Sequence, residues 1–236
     1  MMDEAGFLAA LAPLRGPKMI ERSAKLTGER LASGRLLVSA PRRALLPGAE
    51  RTFRTICEAL GAPDIAPLVR HLPQAAEVHF GFEPGARPVA KAYLEFGPDG
   101  PVPHLRFLAL KWREGRARTN LYFDRTALRP EARADLITEV IPDGRERDLM
   151  LALVAAATTA APLDDLPLLL VEEEGTGRRS LDLNIADLDW GVAEISDLPQ
   201  TLRGAVGDAR IGHVAAGVDG EGEAFLTVYH GAARWV

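Results

Sequence analysis

The sequence predicts an α+β protein in which about eight to ten antiparallel strands form a barrel or a strongly curved sheet, with helices covering its outer face. Three observations predict this fold. Strand pairs alternate apolar and polar residues on either side of glycine-containing turns, and helical segments separate the pairs. Four strands also repeat a similar polar row, within residues 91–94, 120–123, 182–185 and 227–230.

Composition limits the class of protein. The chain has 236 residues, of which 47% are hydrophobic and 26% charged, so we expect one large domain over residues 1–236, with repeated units from residue 51 onward. The formal net charge of -5 predicts no general attraction to nucleic acid or anionic lipid. Cys57 is the only cysteine, and we find neither a secretion signal nor a membrane-spanning stretch, so the predicted location is cytoplasmic.

The first half of the chain contains two predicted hairpins. Residues 1–50 show no clear periodicity, apart from a strand pattern at 35–40. A helix with apolar residues at helical spacing is predicted before Gly61. Alternation then predicts strands in pairs, with Glu114-Gly115 as the turn of the second hairpin. The four predicted strands are 77–83, 88–96, 105–113 and 118–124.

The second half repeats this plan. Pro130 suits the first turn of a helix whose apolar face includes Ile137, and a more buried helix is expected over about 146–161. A further helical region is expected over about 192–206. Hairpin strands are predicted at 168–173, 180–187, 210–218 and 224–230.

The polar face of these strands has two interpretations. It is either the wet face of an open sheet or the lining of a closed barrel. Because three of its members are tyrosines, which bury aromatic surface while offering a hydroxyl, we favour the lining. The row comprises Lys91, Tyr93, Glu95, Asn120, Tyr122, Asp124, Asp182, Asn184, Thr227 and Tyr229.

Two short motifs carry a family resemblance. The segment Lys91-Ala92-Tyr93 and the final strand segment, residues 225–229, which ends in Thr-Val-Tyr, resemble those of the ABBA or PT-barrel aromatic prenyltransferases. Together with the order of helices and hairpins, the resemblance covers roughly residues 77–231. It implies ten antiparallel strands around a chamber, a lysine that contacts a diphosphate and a tyrosine that shields an allylic cation.

The resemblance implies transfer of an allylic, dimethylallyl-type group from a diphosphate to an aromatic or electron-rich acceptor. Lys91 would contact the diphosphate, Tyr93, Tyr122 and Tyr229 would shield the cation, and Glu95 or Glu83 would accept the proton. A bridging Mg²⁺ is left open, and neither nucleic acid nor membrane is an expected partner. Other expected substrate-binding residues are His79, Lys111, Arg118, Asn120, Asp182, Asn184, Arg210 and Thr227.

Two alternatives remain. Asp182 and Asn184 occupy a strand where the resemblance would place a basic residue and a tyrosine, which favours a non-catalytic barrel that binds a hydrophobic metabolite or peptide. A structural subunit is the third reading. The five histidines show no close metal-ligand spacing, so no metal site is predicted, and oligomeric state is left open.

Overall fold

The computed structural model of the chain describes residues 2–235, and within them ten strands form one closed antiparallel barrel. Around the barrel their order is β1-β10-β9-β8-β7-β6-β5-β4-β3-β2. The predicted fold class is therefore confirmed in its closed form. The strands are β1 (Lys18–Thr27), β2 (Arg30–Pro41), β3 (Ala75–Glu83), β4 (Val89–Phe96), β5 (Leu105–Arg113), β6 (Arg116–Asp124), β7 (Leu168–Glu173), β8 (Arg179–Asn184), β9 (Ile211–Val218) and β10 (Ala224–Trp235).

Helices connect the hairpins. None of those within residues 2–235 is both long and apolar enough to cross a bilayer. They are α1 (Glu4–Ala10), α2 (Ala49–Ala59), α3 (Ala66–His71), α4 (Pro130–Val140), α5 (Arg145–Ala160) and α6 (Gln200–Val206).

The predicted hairpins are confirmed, with boundaries that shift by a few residues. The turn between β5 and β6 shows why the second hairpin could be predicted from the sequence. Glu114 and Gly115 both have positive φ, at 51° and 75°, which is the backbone of a two-residue turn that suits the twist of a hairpin.

Four elements differ from the prediction. Strand β1 and helices α1 and α3 were not predicted, because β1 carries little apolar alternation and both helices are short. The helix expected over residues 192–206 is only α6. Residues 192–199 form turns instead, and the Arg203 guanidinium satisfies the carbonyl oxygens of Val192, Ile195 and Leu198 there.

The chain divides into two compact units. The first unit comprises Met1–Glu21, Gly34–Leu121 and Ala233–Val236. Its core lies between helices and the apolar face of its strands. Phe7 of α1 stacks on Phe82 of β3 with ring centroids 5.3 Å apart, and Phe53 of α2 lies 5.7 Å from Phe80. These contacts cover one face of β3 with helices and leave the other face to its polar residues.

The second unit comprises Arg22–Ser33 and Tyr122–Ala232. Its core joins the apolar faces of α4, α5 and α6 to alternate residues of β7 to β10, which are fully or nearly fully buried. Arg133 of α4 lies inside this unit with no exposed surface, and its guanidinium donates to four backbone carbonyls. The acceptors belong to Thr126, Leu128, Leu163 and Leu166.

Candidate functional site

Strand register determines which side chains share a face in the first unit. Residues directly opposite one another on neighbouring strands lie on the same face of a sheet. One row runs Ser39, His79, Tyr93, Ala109, and the next runs Leu37, Gly81, Lys91, Lys111. The row between them, Val38, Phe80, Ala92, Leu110, is buried in the core beneath the helices. The polar rows therefore face the inside of the barrel wall.

Three cations gather around Glu83 on this inner face. The Arg35 Nη2 atom donates to Glu83 Oε1 at 2.7 Å, and Lys91 Nζ forms an ion pair with the same oxygen. Lys111 lies directly opposite Lys91 on β5. The Arg35 and Lys91 side chains are only 8% and 14% exposed, while Glu83 is 26% exposed, so water screens these charges only partly. We call Arg35, Lys91 and Lys111 the cation cluster.

The cluster changes the pKa of both partners. Burial alone would raise the pKa of Glu83, but the charges of Arg35, Lys91 and Lys111 outweigh it and hold that pKa well below its usual range. Burial lowers the pKa of Lys91 to about 7, and repulsion from Arg35 and Lys111 adds to this while attraction to Glu83 opposes it. Lys91 therefore exchanges its proton near neutral pH.

Gly81 makes room for Lys91. A Cβ atom at Gly81 would lie 3.4 Å from the Lys91 Cβ, 3.5 Å from its Cδ and 3.6 Å from Tyr93 Cε2. The lysine side chain and the tyrosine ring thus both lie against the bare backbone of β3. A Cβ alone would make ordinary van der Waals contacts here, whereas a branched side chain would enter the space that Lys91 and Tyr93 occupy.

A second network starts two residues further along the same strands. His79 Nδ1 lies 2.7 Å from Ser39 Oγ, and His79 Nε2 lies 3.0 Å from Glu95 Oε2. Arg106 Nη2 donates to the other Glu95 oxygen at 2.6 Å. Burial raises the pKa of Glu95, but the hydrogen bond from His79 and the charges of His79 and Arg106 lower it by more. Glu95 is therefore held ionised.

Glu77 extends this network into a group with metal-ligating atoms. Donor atoms of Glu77, His79 and Glu95 lie within 4.8 Å of one another, and an imidazole with two carboxylates suits several divalent cations. However, His79 and Glu95 already satisfy each other, with Ser39 and Arg106 completing their hydrogen bonds. These hydrogen bonds and ion pairs account for the group, and the bridging Mg²⁺ stays open.

The second unit presents a different polar arrangement. Asp182, Ala215 and Thr227 lie opposite one another, as do His213 and Tyr229. His213 Nδ1 lies 2.8 Å from Asp182 Oδ1, and the imidazole stacks on the Tyr229 ring at 3.8 Å between centroids and 9° between planes. A carboxylate that orients a histidine, with an aromatic ring against the imidazole face, can hold a planar ligand or move a proton.

The expected site residues differ in how deeply the structure buries them. Asn120, Asp182 and Thr227 are buried, while Lys111, Tyr93, Tyr122 and Tyr229 are half-buried. Arg118 is exposed. Arg210 is exposed as well and pairs with exposed Asp189 at 3.2 Å. Asn184 is exposed, and its Oδ1 accepts a hydrogen bond from the Ala186 amide, which gives it a role in the turn after β8.

The sequence did not identify Arg35 as a site residue, nor its ion pair with Glu83. The alternation of Arg35 and Ser39 with Leu36 and Val38 places the two polar side chains on one face of β2. A strand was predicted at residues 35–40, but its polar face was not assigned to the site. His213, Arg106 and Ser39 were also missed. Their roles depend on cross-strand partners, and register was needed to find those.

The fold matches that of solved aromatic prenyltransferases. AnaPT from Neosartorya fischeri superimposes with a TM-score of 0.58 and 12% identity, over 91% of this chain and 78% of that one. For 5-dimethylallyltryptophan synthase from Streptomyces coelicolor the TM-score is 0.60, with 14% identity over 90% and 80%. PriB, in a ternary complex with L-tryptophan and dimethylallyl thiolodiphosphate, gives 0.57 and 17% over 89% and 79%.

No family model matches the chain, and no curated protein matches it either. The expected PT-barrel fold is nevertheless confirmed, since several solved prenyltransferases share it over most of this chain. At these identities the likeness establishes the fold. The chemistry must be argued from the side chains.

Proposed function

We propose that this protein transfers an allylic group of the dimethylallyl type from a diphosphate to an aromatic acceptor. The observation that carries this proposal is the convergence of Arg35, Lys91 and Lys111 on the inner wall of the first unit, beside Tyr93. Two lysines placed directly opposite each other repel, and this cost is relieved when an anion lies between them. A diphosphate is an anion that such a cluster suits.

The cluster would act on the leaving group. The bond between the allylic carbon and the diphosphate oxygen breaks, and its electron pair leaves with the diphosphate. Positive charge arranged in advance around that oxygen lowers the barrier, because the charges need not reorganise as the bond breaks. Arg35 can donate two parallel hydrogen bonds to phosphate oxygens, and Lys91 supplies a point charge.

The allylic cation then needs an aromatic surface and a nucleophile. Tyr93 lies two residues from Lys91 on the same face of β4, where its ring can shield the cation from water. We propose the same shielding role for Tyr122 and Tyr229, and a substrate-binding role for Asn120, Asp182 and Thr227. An aromatic carbon of the acceptor forms the new bond to the allylic carbon.

Glu95 is our proposed acceptor of the proton that the aromatic ring then loses. The protonated ring intermediate is a strong acid, so a carboxylate of lowered pKa can still take its proton. His79 and Arg106 would hold the carboxylate in place. Restoring aromaticity completes the reaction, and the products are the prenylated acceptor, diphosphate and a proton on the base.

A thermal unfolding experiment tests donor binding. A ligand present at 100 times its Kd stabilises the native state by about 2.7 kcal/mol, so saturating dimethylallyl diphosphate should raise the midpoint by several degrees. Lys91→Ala should lose this shift. Lys18→Ala is the control, since the Lys18 Nζ hydrogen-bonds to the carbonyls of Leu14 and Gly16. An equal shift for wild type and Lys91→Ala would defeat the role of Lys91.

Turnover separates the proposal from its rival. With dimethylallyl diphosphate and an aromatic acceptor such as L-tryptophan, the enzyme should release diphosphate and form a prenylated product, and Lys91→Ala should lose both. A ligand-binding barrel without catalysis is favoured by Asp182 and His213 in the second unit, where further cations would suit a transferase better. This alternative, a barrel that binds a hydrophobic metabolite or peptide, predicts no diphosphate release with any acceptor tried.

A further inference from the structure

Glu83 occupies the position in the cation cluster where an anionic ligand would bind. Arg35 Nη2 and Lys91 Nζ both contact one oxygen of this carboxylate, Oε1. Resting on the function proposed above, we propose that Glu83 is a resident counter-anion that the diphosphate must displace, and that it makes the site selective for multiply charged anions.

The local charges support this exchange. The charges that act on Lys91 are those of Glu83, Arg35 and Lys111, which is one carboxylate against two further cations. Burial is the largest cause of the low pKa of Lys91, and repulsion by Arg35 and Lys111 adds to it while attraction to Glu83 opposes it. A more highly charged anion than one carboxylate would therefore interact with these cations more strongly.

Displacement of Glu83 by the ligand would also make the site selective for a diphosphate over a singly charged anion. A singly charged ligand that displaced Glu83 would replace one carboxylate-like charge with another and would gain little, while it would lose the advantage of a tethered partner. A diphosphate brings more charge and more acceptor oxygens, so it can engage all three cations. Glu83 thus raises the charge that a ligand must carry before it binds.

Glu83 is placed where it can move. It is the last residue of β3, directly before the turn that contains Pro84 and Gly85, and 26% of its side chain is exposed. A displaced carboxylate can therefore turn toward water without unfolding the strand. Its partners Arg35 and Lys91 remain held by β2 and β4.

Titration calorimetry with inorganic pyrophosphate at pH 6 tests the inference, and it is repeated in a Lys91→Arg background, because loss of Glu83 lowers the pKa of Lys91 while arginine stays charged. Glu83→Gln should bind pyrophosphate at least about tenfold more tightly than wild type, and its preference for pyrophosphate over inorganic phosphate should shrink. Glu172→Gln is the matched control, because Glu172 is a partly buried carboxylate near the end of β7 that pairs with Arg179 and lies outside the cation cluster. It should bind like wild type.

A second variant keeps the test informative if Glu83→Gln folds poorly. Glu83→Asp withdraws the carboxylate by one methylene and should bind pyrophosphate with an affinity between those of wild type and Glu83→Gln. If wild type binds pyrophosphate but folded Glu83→Gln or Glu83→Asp binds it equally or more weakly, Glu83 is a scaffold and the inference fails alone. If no form binds pyrophosphate, the proposed donor site fails with it.

Discussion

The Arg35 guanidinium and the Glu83 carboxylate meet across β2 and β3, with Nη2 and Oε1 separated by 2.7 Å. The partners lie 48 positions apart in the chain, and the Arg35 side chain is 8% exposed. A buried charge of this kind requires its partner, because water cannot replace the lost interaction. This pair therefore serves both the stability of the first unit and the electrostatics of the candidate site.

Removing the guanidinium should destabilise the fold measurably. Arg35→Met should lower the free energy of unfolding by about 2 kcal/mol, less than for a fully buried pair because water partly screens Glu83. Urea unfolding followed by circular dichroism measures this. Arg106→Met is the control, since the Arg106 side chain is 40% exposed, and it should cost less than about 1 kcal/mol. Equal losses in the two variants would contradict the structural role given to Arg35.

Diphosphate binding should weaken as pH rises. Burial lowers the pKa of Lys91 to about 7, so the free protein loses this charge above neutral pH. A bound diphosphate favours the charged lysine, so binding above pH 7 takes up a proton and affinity should fall by up to about tenfold per pH unit. Calorimetry from about pH 7.5 to 9 in buffers of different ionisation enthalpy counts that proton. Lys91→Arg should bind with little pH dependence, since arginine stays charged.

The space at Gly81 should be essential for anion binding. Gly81→Val would put a branched side chain where Lys91 and Tyr93 pack against β3, and Lys91 would be pushed away from Glu83. We expect pyrophosphate affinity to fall at least about tenfold while the protein stays folded, as judged by its melting transition. Gly97→Val is the control, because a Cβ at Gly97 meets no atom within 4 Å. An unchanged pyrophosphate affinity in Gly81→Val would show that Lys91 does not need the space beside Gly81 to bind the anion.

Arg133 should be among the most sensitive positions of the second unit. Arg133→Met would leave four backbone carbonyls, one buried and three partly buried, without their donor, at a cost of about 3 kcal/mol in unfolding free energy. Arg129→Met, at the exposed start of the same helix, should change stability by less than about 0.5 kcal/mol. Chemical denaturation of both variants makes the comparison. A loss below 1 kcal/mol in Arg133→Met would mean that ordered water replaces the guanidinium.

Local patterns in the sequence were enough to predict most of the barrel. Alternation in residues 75–96 and the positive-φ turn at Glu114-Gly115 are encoded within a few neighbouring residues, so both hairpins of the first unit could be predicted. The same patterns failed for β1 and for residues 192–199. There the deciding interactions come from other strands or from Arg203, which lies up to eleven residues away.

The sequence alone determined which residues share a face: Lys91 with Tyr93 and Glu95, Asp182 with Asn184, and Thr227 with Tyr229. That follows from the two-residue period of a strand. Only the tertiary structure decided which charges meet, since Arg35, Glu83 and Lys91 come from three strands and their contact depends on register. The tertiary structure also lowers the pKa of Lys91 to about 7. A pKa depends on burial and on neighbouring charges, and neither can be taken from the sequence alone.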